Sequence, residues 1–394
     1  MEWKEYQIQD VCRLINGRAY SNDEMLEHGK YKIVRVGNLS GGNSTWFYSD
    51  LELPADKYCH NGDLLFAWAC TFGPHIWKED NTIFHYHIWK IVEDKDVVDR
   101  RFFYYYLKFA TGGFLGALNG SVMVHITKSS MEKMIIRIPK KLEDQRRIAS
   151  ILSSLDRKIE LNNKINADLE EMAQAIFKNW FVDFEPFKDG KFVDSELGKI
   201  PEGWKVGRLT DIIKLMPGGT PKTSEPLYWD NGTIPFFSPK DVNGVYCFAT
   251  EKHITETGLN KCSSNLYPKD TIFITCRGTV GKVCLAACDM AMNQSNYAIR
   301  AIDGYSQYYV FFLVKSVVER LIKKSNGAVF SAITSKDFDE EILIPSQKAV
   351  EDFTNVIDGF FRRIFTIGTE NSRLSLLRDT LLPRLMSGEI EVPE

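Results

Sequence analysis

Two stretches of the chain place apolar residues in rows spaced by seven positions, which is the pattern of a coiled-coil helix. The first stretch, residues 140–185, contains no proline or glycine, and the second begins after Pro345. The rows, which include one asparagine, are Ile148, Leu155, Asn162, Leu169 and Ile176 and, 205 positions later, Phe353, Phe360, Ile367, Leu374 and Leu381. Gly359, Gly368 and Pro383 make the second stretch the poorer helix former.

A long helix with one apolar stripe needs a partner that covers the stripe. The simplest partner of the first helix is the second, because two copies in one chain pack most easily around an approximate two-fold axis, which makes the helices antiparallel. We expect a first helix of about 38 residues and about 57 Å. Asn162 either fixes the register of the pair or is bonded to solvent. The ten residues of the two rows form the predicted helix interface.

The segments before the two helices alternate short β-rich runs with breaks at glycine, asparagine and proline. Residues 31–36 and 272–275 have the composition of strands, whereas the aromatic runs 101–109 and 308–321 have the pattern of helices. This mixture predicts an α+β domain in each half of the chain, although the order of its strands cannot be read from the pattern.

The two halves share an ordered series of identical or similar residues, and internal repeats of this kind indicate duplication. Matches 201 positions apart include Trp3 with Trp204 and Gly17 with Gly218. Matches at shifts of 206 or 207 are Asp63 with Asp270, Phe66 with Phe273, Gly120 with Gly327, Ile126 with Ile333, and Ile138 with Ile344. We therefore predict four parts: a domain over 1–140, a helix over 141–185, a linker and domain over 186–345, and a helix over 346–394.

Composition excludes several classes of protein. With 44% hydrophobic and 26% charged residues, the 394-residue chain has the balance of a folded globular protein and not of a disordered one. It shows no apolar run long enough for a membrane span, no signal-peptide pattern and no disulfide framework, so we expect a cytoplasmic protein. A net charge of −3 excludes a polycation but permits a local basic groove for nucleic acid.

No constellation of catalytic or metal-binding residues stands out. His85 and His87 share a face if their segment is a strand, but ordinary packing outweighs a metal site there. Cys284 and Cys288 lie four positions apart and are better explained as core thiols than as a zinc pair. Residues 277–282 lack the spacing and the Ser or Thr of a phosphate-binding loop. We therefore predict no catalytic residue and no metal site.

Several longer motifs occur together in the chain. They are Pro-Glu-Gly-Trp-Lys at 201–205, the Ile-Pro exit at 138–139 followed by Glu-Asp-Gln at 143–145, Ile-Phe-Lys-Asn-Trp-Phe at 176–181, and Leu-Leu-Pro-Arg-Leu at 381–385. In this combination, the chain resembles the specificity subunit of type I restriction–modification systems over essentially its full length. The second copy departs from the family pattern, because residues 346–354 lack the Glu-x-Gln of the first copy.

The resemblance implies an α+β fold in which two pseudo-two-fold related α/β target-recognition domains are separated by an antiparallel coiled coil of two long helices. Each domain would read one half of a bipartite site on double-stranded DNA, in a bacterial or archaeal cell. The chain itself would be non-catalytic and would dock two methyltransferase subunits as well as restriction subunits. It would bind no cofactor, since S-adenosylmethionine belongs to the methyltransferase partner, and ATP and Mg to the restriction partner.

Polar and basic residues in matching loops are the candidates for DNA contact, because Lys and Arg bind phosphates while polar side chains read base edges. They are Arg35, Asn38, Thr71, Ser121 and Lys128 in the first half, and Thr220, Lys222, Ser238, Lys240, Arg277, Lys282, Asn326 and Lys336 in the second. Two other functions stay open at this point. One is a standalone DNA-modifying enzyme, which requires a cofactor site, and the other is a coiled-coil scaffold whose domains bind protein.

Overall fold

The computed structural model describes residues 1–39, 44–69, 72–117, 126–302, 304–324 and 332–393. Its internal contacts divide the chain into two units. The first consists of Met1–Lys158 together with Leu374–Glu394, and the second of Ile159–Arg373. The chain therefore leaves the first unit once and returns to it for its last segment.

The first unit is built from short strands and one long aromatic helix. Its described strands are β1 (Trp3–Gln7), β2 (Cys12–Asn16), β3 (Tyr31–Val34), β4 (Phe47–Ser49), β5 (Tyr58–Cys59), β6 (Leu64–Ala67), β7 (Gly73–Ile76), β8 (Thr82–Phe84), β9 (Ile88–Glu93) and β10 (Ile135–Pro139), and its helices are α1 (Ile8–Val11), α2 (Val36–Leu39), α3 (Arg100–Ala117) and α4 (Lys128–Glu132). They form the sheets β2-β9-β6-β7 and β4-β3-β8-β5 and the pair β1-β10. Only β3 and β8 among these described neighbours run parallel.

Strand β6 shows why these residues fold into two layers of sheet and a helix. All four of its side chains are buried, and successive side chains of a strand point to opposite faces. Leu64 and Phe66 pack with Phe102 and Phe103 of α3, whereas Leu65 and Ala67 pack with the side chains of β3 and β8. A strand covered on both faces reads as a continuous apolar run, as β6 does.

The second unit begins at Ile159, inside the long helix α5, and repeats the arrangement of strands and helices of the first unit. After the long helix α5 (Leu142–Phe181), the described strands are β11 (Phe192–Ser195), β12 (Gly198–Pro201), β13 (Lys205–Arg208), β14 (Ile213–Pro217), β15 (Ile234–Phe237), β16 (Tyr246–Cys247), β17 (Lys252–Ile254), β18 (Ile272–Thr275), β19 (Val283–Ala286), β20 (Ala291–Met292), β21 (Asn296–Ala301) and β22 (Glu341–Ile344), and the helices are α6 (Glu256–Asn260), α7 (Gln307–Lys324) and α8 (Gln347–Ser387). The sheets are β14-β21-β18-β19-β16 and β17-β15-β20, with the pairs β13-β22 and β11-β12.

The shared topology confirms the duplication. The order β2-β9-β6-β7 in the first unit matches β14-β21-β18-β19 in the second, and the parallel pair of β3 with β8 matches that of β15 with β20. The pairing of β5 with β8 is repeated by the antiparallel bridge of Tyr267 with Met290, and the second unit adds β16 beside β19.

Two matches of the repeat were wrong by one residue: Asp63 corresponds to Thr271 instead of Asp270, and the match of Phe66 is displaced in the same way. Leu64 lies opposite Ile91 in the first unit, and Ile272 lies opposite Ile299 in the second, so the shift is 208 and Phe66 corresponds to Ile274 instead of Phe273. A slip of one position moves a side chain to the other face of the sheet. The sequence did not reveal the slip because both faces of β6 and β18 are apolar.

The two long helices pair in antiparallel fashion within each unit, which confirms the predicted pairing. In the first unit, Ile148 and Leu152 of α5 share a core with Leu382 and Leu385 of α8. Helix α8 is continuous over 41 residues although Pro383 lies inside it, because packing of its apolar face outweighs local propensity. In the second unit, Gly368 lies under Phe248, whose ring would be 2.1 Å from an added Cβ.

Candidate nucleic-acid interface

In the second unit, loops from several strands meet at one edge of the sheet β14-β21-β18-β19-β16. Because β14, β21, β18 and β19 pair in antiparallel fashion, the ends of β14 and β18 lie beside the starts of β21 and β19. We call this the second loop edge and define it by residues 218–222, 238–241, 276–282, 293–295 and 332–336. Backbone hydrogen bonds join these loops: Gly219 N to Met292 O (3.1 Å), Asn293 N to Phe237 O (3.0 Å), Cys276 N to Ser295 O (2.9 Å) and Ile333 N to Cys276 O (3.0 Å).

The first unit has an equivalent edge, the first loop edge, formed by residues 17–20, 35–38, 68–69 and 85–87. Its backbone bonds repeat those of the second unit: His85 N donates to Val34 O (3.0 Å), and Trp68 N donates to His87 O (3.1 Å). Gly17 N donates to Ile88 O (3.1 Å), as Gly218 N donates to Asn296 O (3.4 Å). The two edges therefore share a backbone frame.

The centre of each loop edge is a connection of three residues, which we call the central connection. In the first unit it joins β8 to β9 and consists of His85, Tyr86 and His87; in the second it joins β20 to β21 and consists of Asn293, Gln294 and Ser295. The backbone bonds at the first and third residues are the same in both units, but none of the three side chains is shared. A common frame thus presents two different chemical surfaces.

A glycine in each unit allows the chain to pass against the central connection. A Cβ added to Gly17 would lie 2.2 Å from the carbonyl oxygen of His85, and one added to Gly218 would lie 2.0 Å from that of Asn293. No side chain fits against a backbone atom at these distances. The match of the two glycines in sequence therefore has a structural cause, which is the close approach of two backbone segments.

The basic candidates of the second half lie on the second loop edge and face solvent. Lys222, Lys240, Arg277, Lys282 and Lys336 are all exposed. Arg277 lies on a backbone bridge with Ala332, which brings the loop after β18 next to the segment of Lys336. Lys240 is 3.7 Å from Glu251, with most of both side chains exposed, so water screens that pair strongly. These cations can approach a phosphate backbone.

The two described polar candidates of the second half, Thr220 and Ser238, bond to different kinds of partner. The Thr220 hydroxyl donates a hydrogen bond to Oε1 of Gln294 in the central connection. The Ser238 hydroxyl instead donates to Asp241 Oδ2 at 2.8 Å, and the Ser238 backbone N donates to the same oxygen at 2.7 Å. Ser238 thus caps the short turn Pro239–Asp241, and its hydroxyl is engaged there.

In the first half, Asn38 closes the equivalent turn and has the role of Asp241. Its Oδ1 accepts a hydrogen bond from Arg35 N at 3.0 Å, in the position where Asp241 accepts from Ser238. The Arg35 guanidinium lies 4.4 Å from the centre of the Phe47 ring. Lys128 begins α4 and lies 3.6 Å from Glu132 in an exposed ion pair. Three further candidates, Thr71, Ser121 and Asn326, lie outside the described residues.

The first loop edge carries a cluster of aromatic side chains at the positions where the second carries Cys276 and the Asn, Gln and Ser of its central connection. The rings of Tyr86 and His87 lie 3.8 Å apart, and Trp68 lies 5.0 Å from His87, measured between ring centres. Trp68 Nε1 also donates to the carbonyl oxygen of Tyr86 at 2.9 Å. Burial, then His87 and then Arg35 lower the pKa of His85 to about 4, and burial lowers the pKa of His87 as well. His85 is therefore neutral at pH 7, with one ring nitrogen that donates a hydrogen bond and one that accepts.

The profile described as Type I restriction modification DNA specificity domain matches residues 1–171 and 201–362. The chain belongs to this family of specificity subunits. It is 30% identical to the type I restriction enzyme MjaIX specificity subunit of Methanocaldococcus jannaschii, over 76% of this chain and 71% of that protein. It is 27% identical to the HindI specificity subunit of Haemophilus influenzae, over 99% of this chain and all of that protein.

A solved structure shows the same fold. The S subunit of a type I restriction–modification system from M. genitalium aligns with a TM-score of 0.56 at 16% identity, covering 98% of this chain and 96% of that one. The α+β architecture with long helices is thus a feature of the specificity subunits, as expected from the sequence.

The helix rows of this specificity subunit are buried to different degrees. Ile148, Asn162, Phe353 and Ile367 are buried, whereas Leu155, Leu169, Ile176, Phe360, Leu374 and Leu381 are half-buried. Within the second unit, Asn162 Nδ2 donates to Glu370 Oε2 and to Asn371 Oδ1, each at 2.8 Å. Because those partners lie on α8, the amide of Asn162 links the facing helices at one register.

Sequence reasoning missed a polar junction between three helices of the first unit. Asp156 of α5 accepts hydrogen bonds from Tyr105 Oη of α3 at 2.6 Å and from Arg378 Nη1 of α8 at 2.7 Å. The residues are far apart in sequence, and none belongs to an apolar row. An Asp, a Tyr and an Arg on separate helices carry no signal until the packing is known.

Gln294 and Tyr86 were also missed as candidates for base contact. Gln294 lies outside every motif, and Tyr86 lies between the two histidines that were considered only for metal binding. Extending the repeat at the shift of 208 aligns Tyr86 with Gln294, so the signal was present once the register of β6 and β18 was corrected.

The remaining chemistry of the described residues is sparse. No described helix is long and apolar enough to cross a membrane. The described His, Cys, Asp and Glu side chains form no group that could hold a metal ion. Cys284 is buried as expected of a core thiol, but the same expectation was wrong for Cys288, which is exposed in the turn between β19 and β20.

Proposed function

We propose that this chain is the DNA-specificity subunit of a type I restriction–modification complex and that it reads a bipartite site on double-stranded DNA. One observation carries the proposal: the two loop edges share their backbone bonds and their close glycine but differ in every side chain of the central connection. Two copies of one frame with different surfaces suit the reading of two different half-sites. Cations on the second loop edge would supply the sequence-independent affinity for phosphates.

The proposal assigns the parts of the chain as follows. Residues 1–140 and 186–345 hold the recognition domains, and the helices of 141–185 and 346–394 join them and dock two methyltransferase subunits and the restriction subunits. This chain is non-catalytic and carries no cofactor of its own. S-adenosylmethionine is bound by the methyltransferase partner, and ATP and Mg by the restriction partner.

The test is methylation mapping. The chain is expressed with its methyltransferase subunits in a host that lacks them, and the modified genomic sites are compared with those of the same host without this chain. We expect one motif split by a fixed gap of unspecified bases. A single continuous motif, or modification without sequence preference, would contradict the proposal, and binding of S-adenosylmethionine by the isolated chain would indicate an enzyme instead.

A second experiment addresses the division into two readers. Residues 1–140 are replaced by the corresponding domain of the HindI specificity subunit, and the motif is mapped again. We expect one half of the motif to change and the other half to persist. A change in both halves would show that the two domains do not read independently.

A further inference from the structure

The central connections combine a fixed backbone with exposed side chains. In each unit, the first and third residues of the connection are tied by backbone bonds to β3 or β15 and to the segment that follows β6 or β18. The middle residue projects away from this frame: Tyr86 is 40% exposed, and Gln294 is exposed. A side chain held in this way contacts a ligand at little cost in conformational entropy.

The second connection orients the amide of Gln294. Thr220 donates its hydroxyl hydrogen to Gln294 Oε1 and so holds the amide group by its oxygen. Asn293 Oδ1 accepts from Ser295 N at 3.0 Å and from Asn296 Nδ2 at 2.6 Å, so the turn around Gln294 is locked by its neighbours. Oε1 keeps a second lone pair and Nε2 keeps its hydrogens, which is the pattern that pairs with N6 and N7 of adenine in the major groove.

In the first connection, contacts with aromatic rings orient the side chain of Tyr86, whereas side-chain hydrogen bonds of Asn293 fix the second connection. Trp68 donates Nε1–H to the Tyr86 carbonyl at 2.9 Å, and the Tyr86 and His87 rings lie 3.8 Å apart. Tyr86 N donates to Arg18 O at 2.9 Å, which adds a third backbone anchor. The Tyr86 hydroxyl can donate or accept a hydrogen bond, and the neutral His87 imidazole can do both.

We propose that the central connection is the specificity-determining segment of each recognition domain, with Gln294 reading an adenine in one half-site and Tyr86 reading a base in the other. The inference rests on the proposed function and deepens it. The surrounding cations Lys222, Arg277 and Lys282 contact phosphates and carry affinity, whereas the connection carries the choice of base.

The test uses the full chain in complex with its methyltransferase subunits, and the readout is the methylation rate at every single-base variant of the mapped site. Gln294→Ala is expected to lower the preference for one base pair of one half-site by about ten- to a hundredfold, since that is the discrimination of a bidentate contact. Tyr86→Ala is expected to relax a position in the other half. Gln9→Ala, which removes an exposed glutamine of α1 at the end of β2 that lies away from the first loop edge, is the matched control and should leave the profile unchanged.

The outcomes separate this inference from the function itself. If the wild-type complex shows no split motif, the proposed function fails. If the motif is split and Gln294→Ala and Tyr86→Ala change no position, or lower the rate equally at all sites, the central connections do not determine specificity and only the inference is lost. Gln294→Glu and Tyr86→Phe keep the size of each side chain, so they decide the question if the alanine variants do not fold.

Discussion

Replacing Gly218 with alanine tests whether the close backbone approach holds the second loop edge together. The new Cβ would lie 2.0 Å from the Asn293 carbonyl oxygen and 2.8 Å from its carbonyl carbon, both of which are backbone atoms. Neither atom can rotate away as a side chain does. The end of β14 or the central connection must therefore move by about 1 Å, and an overpacking of this kind costs about 3 kcal/mol of folding free energy.

The same substitution at another glycine should have the opposite sign. Gly359 lies within α8, and an added Cβ there has no heavy atom within 4 Å. Gly359→Ala should stabilise the protein by about 0.5–1 kcal/mol, because alanine is the better helix former and limits the unfolded chain. The comparison separates the effect of position from the effect of the mutation type.

Urea unfolding of the full chain measures both changes through the midpoint of the transition. Amide hydrogen exchange followed by mass spectrometry then shows where the structure opens, and for Gly218→Ala we expect faster exchange in peptides that cover residues 213–218 and 292–296. If Gly218→Ala has the stability and exchange of the wild type, the two backbone segments are not in the contact described, and the explanation of the paired glycines is wrong.

Three further predictions concern the first unit, pH and the thiols. Arg378→Met removes the cation that faces the half-buried Asp156 and should cost about 1–2 kcal/mol in urea unfolding; a cost below about 0.5 kcal/mol would contradict the role of the junction. Because the pKa of His85 falls to about 4 in the folded state while the unfolded value is about 6.5, stability should decline as the pH drops from about 6.5 to 4, and His85→Gln should reduce that decline. Iodoacetamide at pH 8 should modify the exposed Cys288 before the buried Cys284 in peptide mapping, and equal rates would refute the assigned burial.

The long helices could be predicted from the sequence because a heptad row extends over many turns and averages out local exceptions. Residues 142–181 form one helix, as the uninterrupted row of 140–185 indicates. The glycines and the proline of the second stretch do not interrupt α8, because packing of its apolar face outweighs local helix propensity. Gly368 is itself required, since the Phe248 ring lies above it. Helix propensity alone does not contain that information, since the reason for the glycine lies on another element.

The strands were harder to align because those in the centre of each unit are covered on both sides. A strand with one solvent-exposed face alternates polar and apolar residues, and this alternation reveals its register. In β6 and β18, however, every side chain is buried. Only the hydrogen-bond ladder with β9 and β21 shows that the copies are offset by 208 positions.

The candidate site could be located by sequence more readily than its side chains could be given roles. The matching loops that begin at Arg35 and Ser238 do lie on equivalent edges, and five cations of the second edge are exposed. Yet Asn38 and Ser238 were chosen for their hydrogen-bonding groups, and those groups form the caps of equivalent turns. A sequence does not distinguish a polar residue that closes a turn from one that binds a ligand. The distinction requires the hydrogen-bond partner of the side chain, which only the structure provides.

The arrangement of the loop edges explains how two copies of a domain can diverge in the chemistry of their exposed surface while keeping their fold. The bonds that hold each edge are donated and accepted by backbone atoms, and the paired glycines contribute space and no side chain. Exchange of the exposed middle residue, Tyr86 or Gln294, therefore removes none of the backbone bonds of the frame. A change of side chain at that position need not be balanced by a second change in the core, so each loop edge can change its surface chemistry independently of the other.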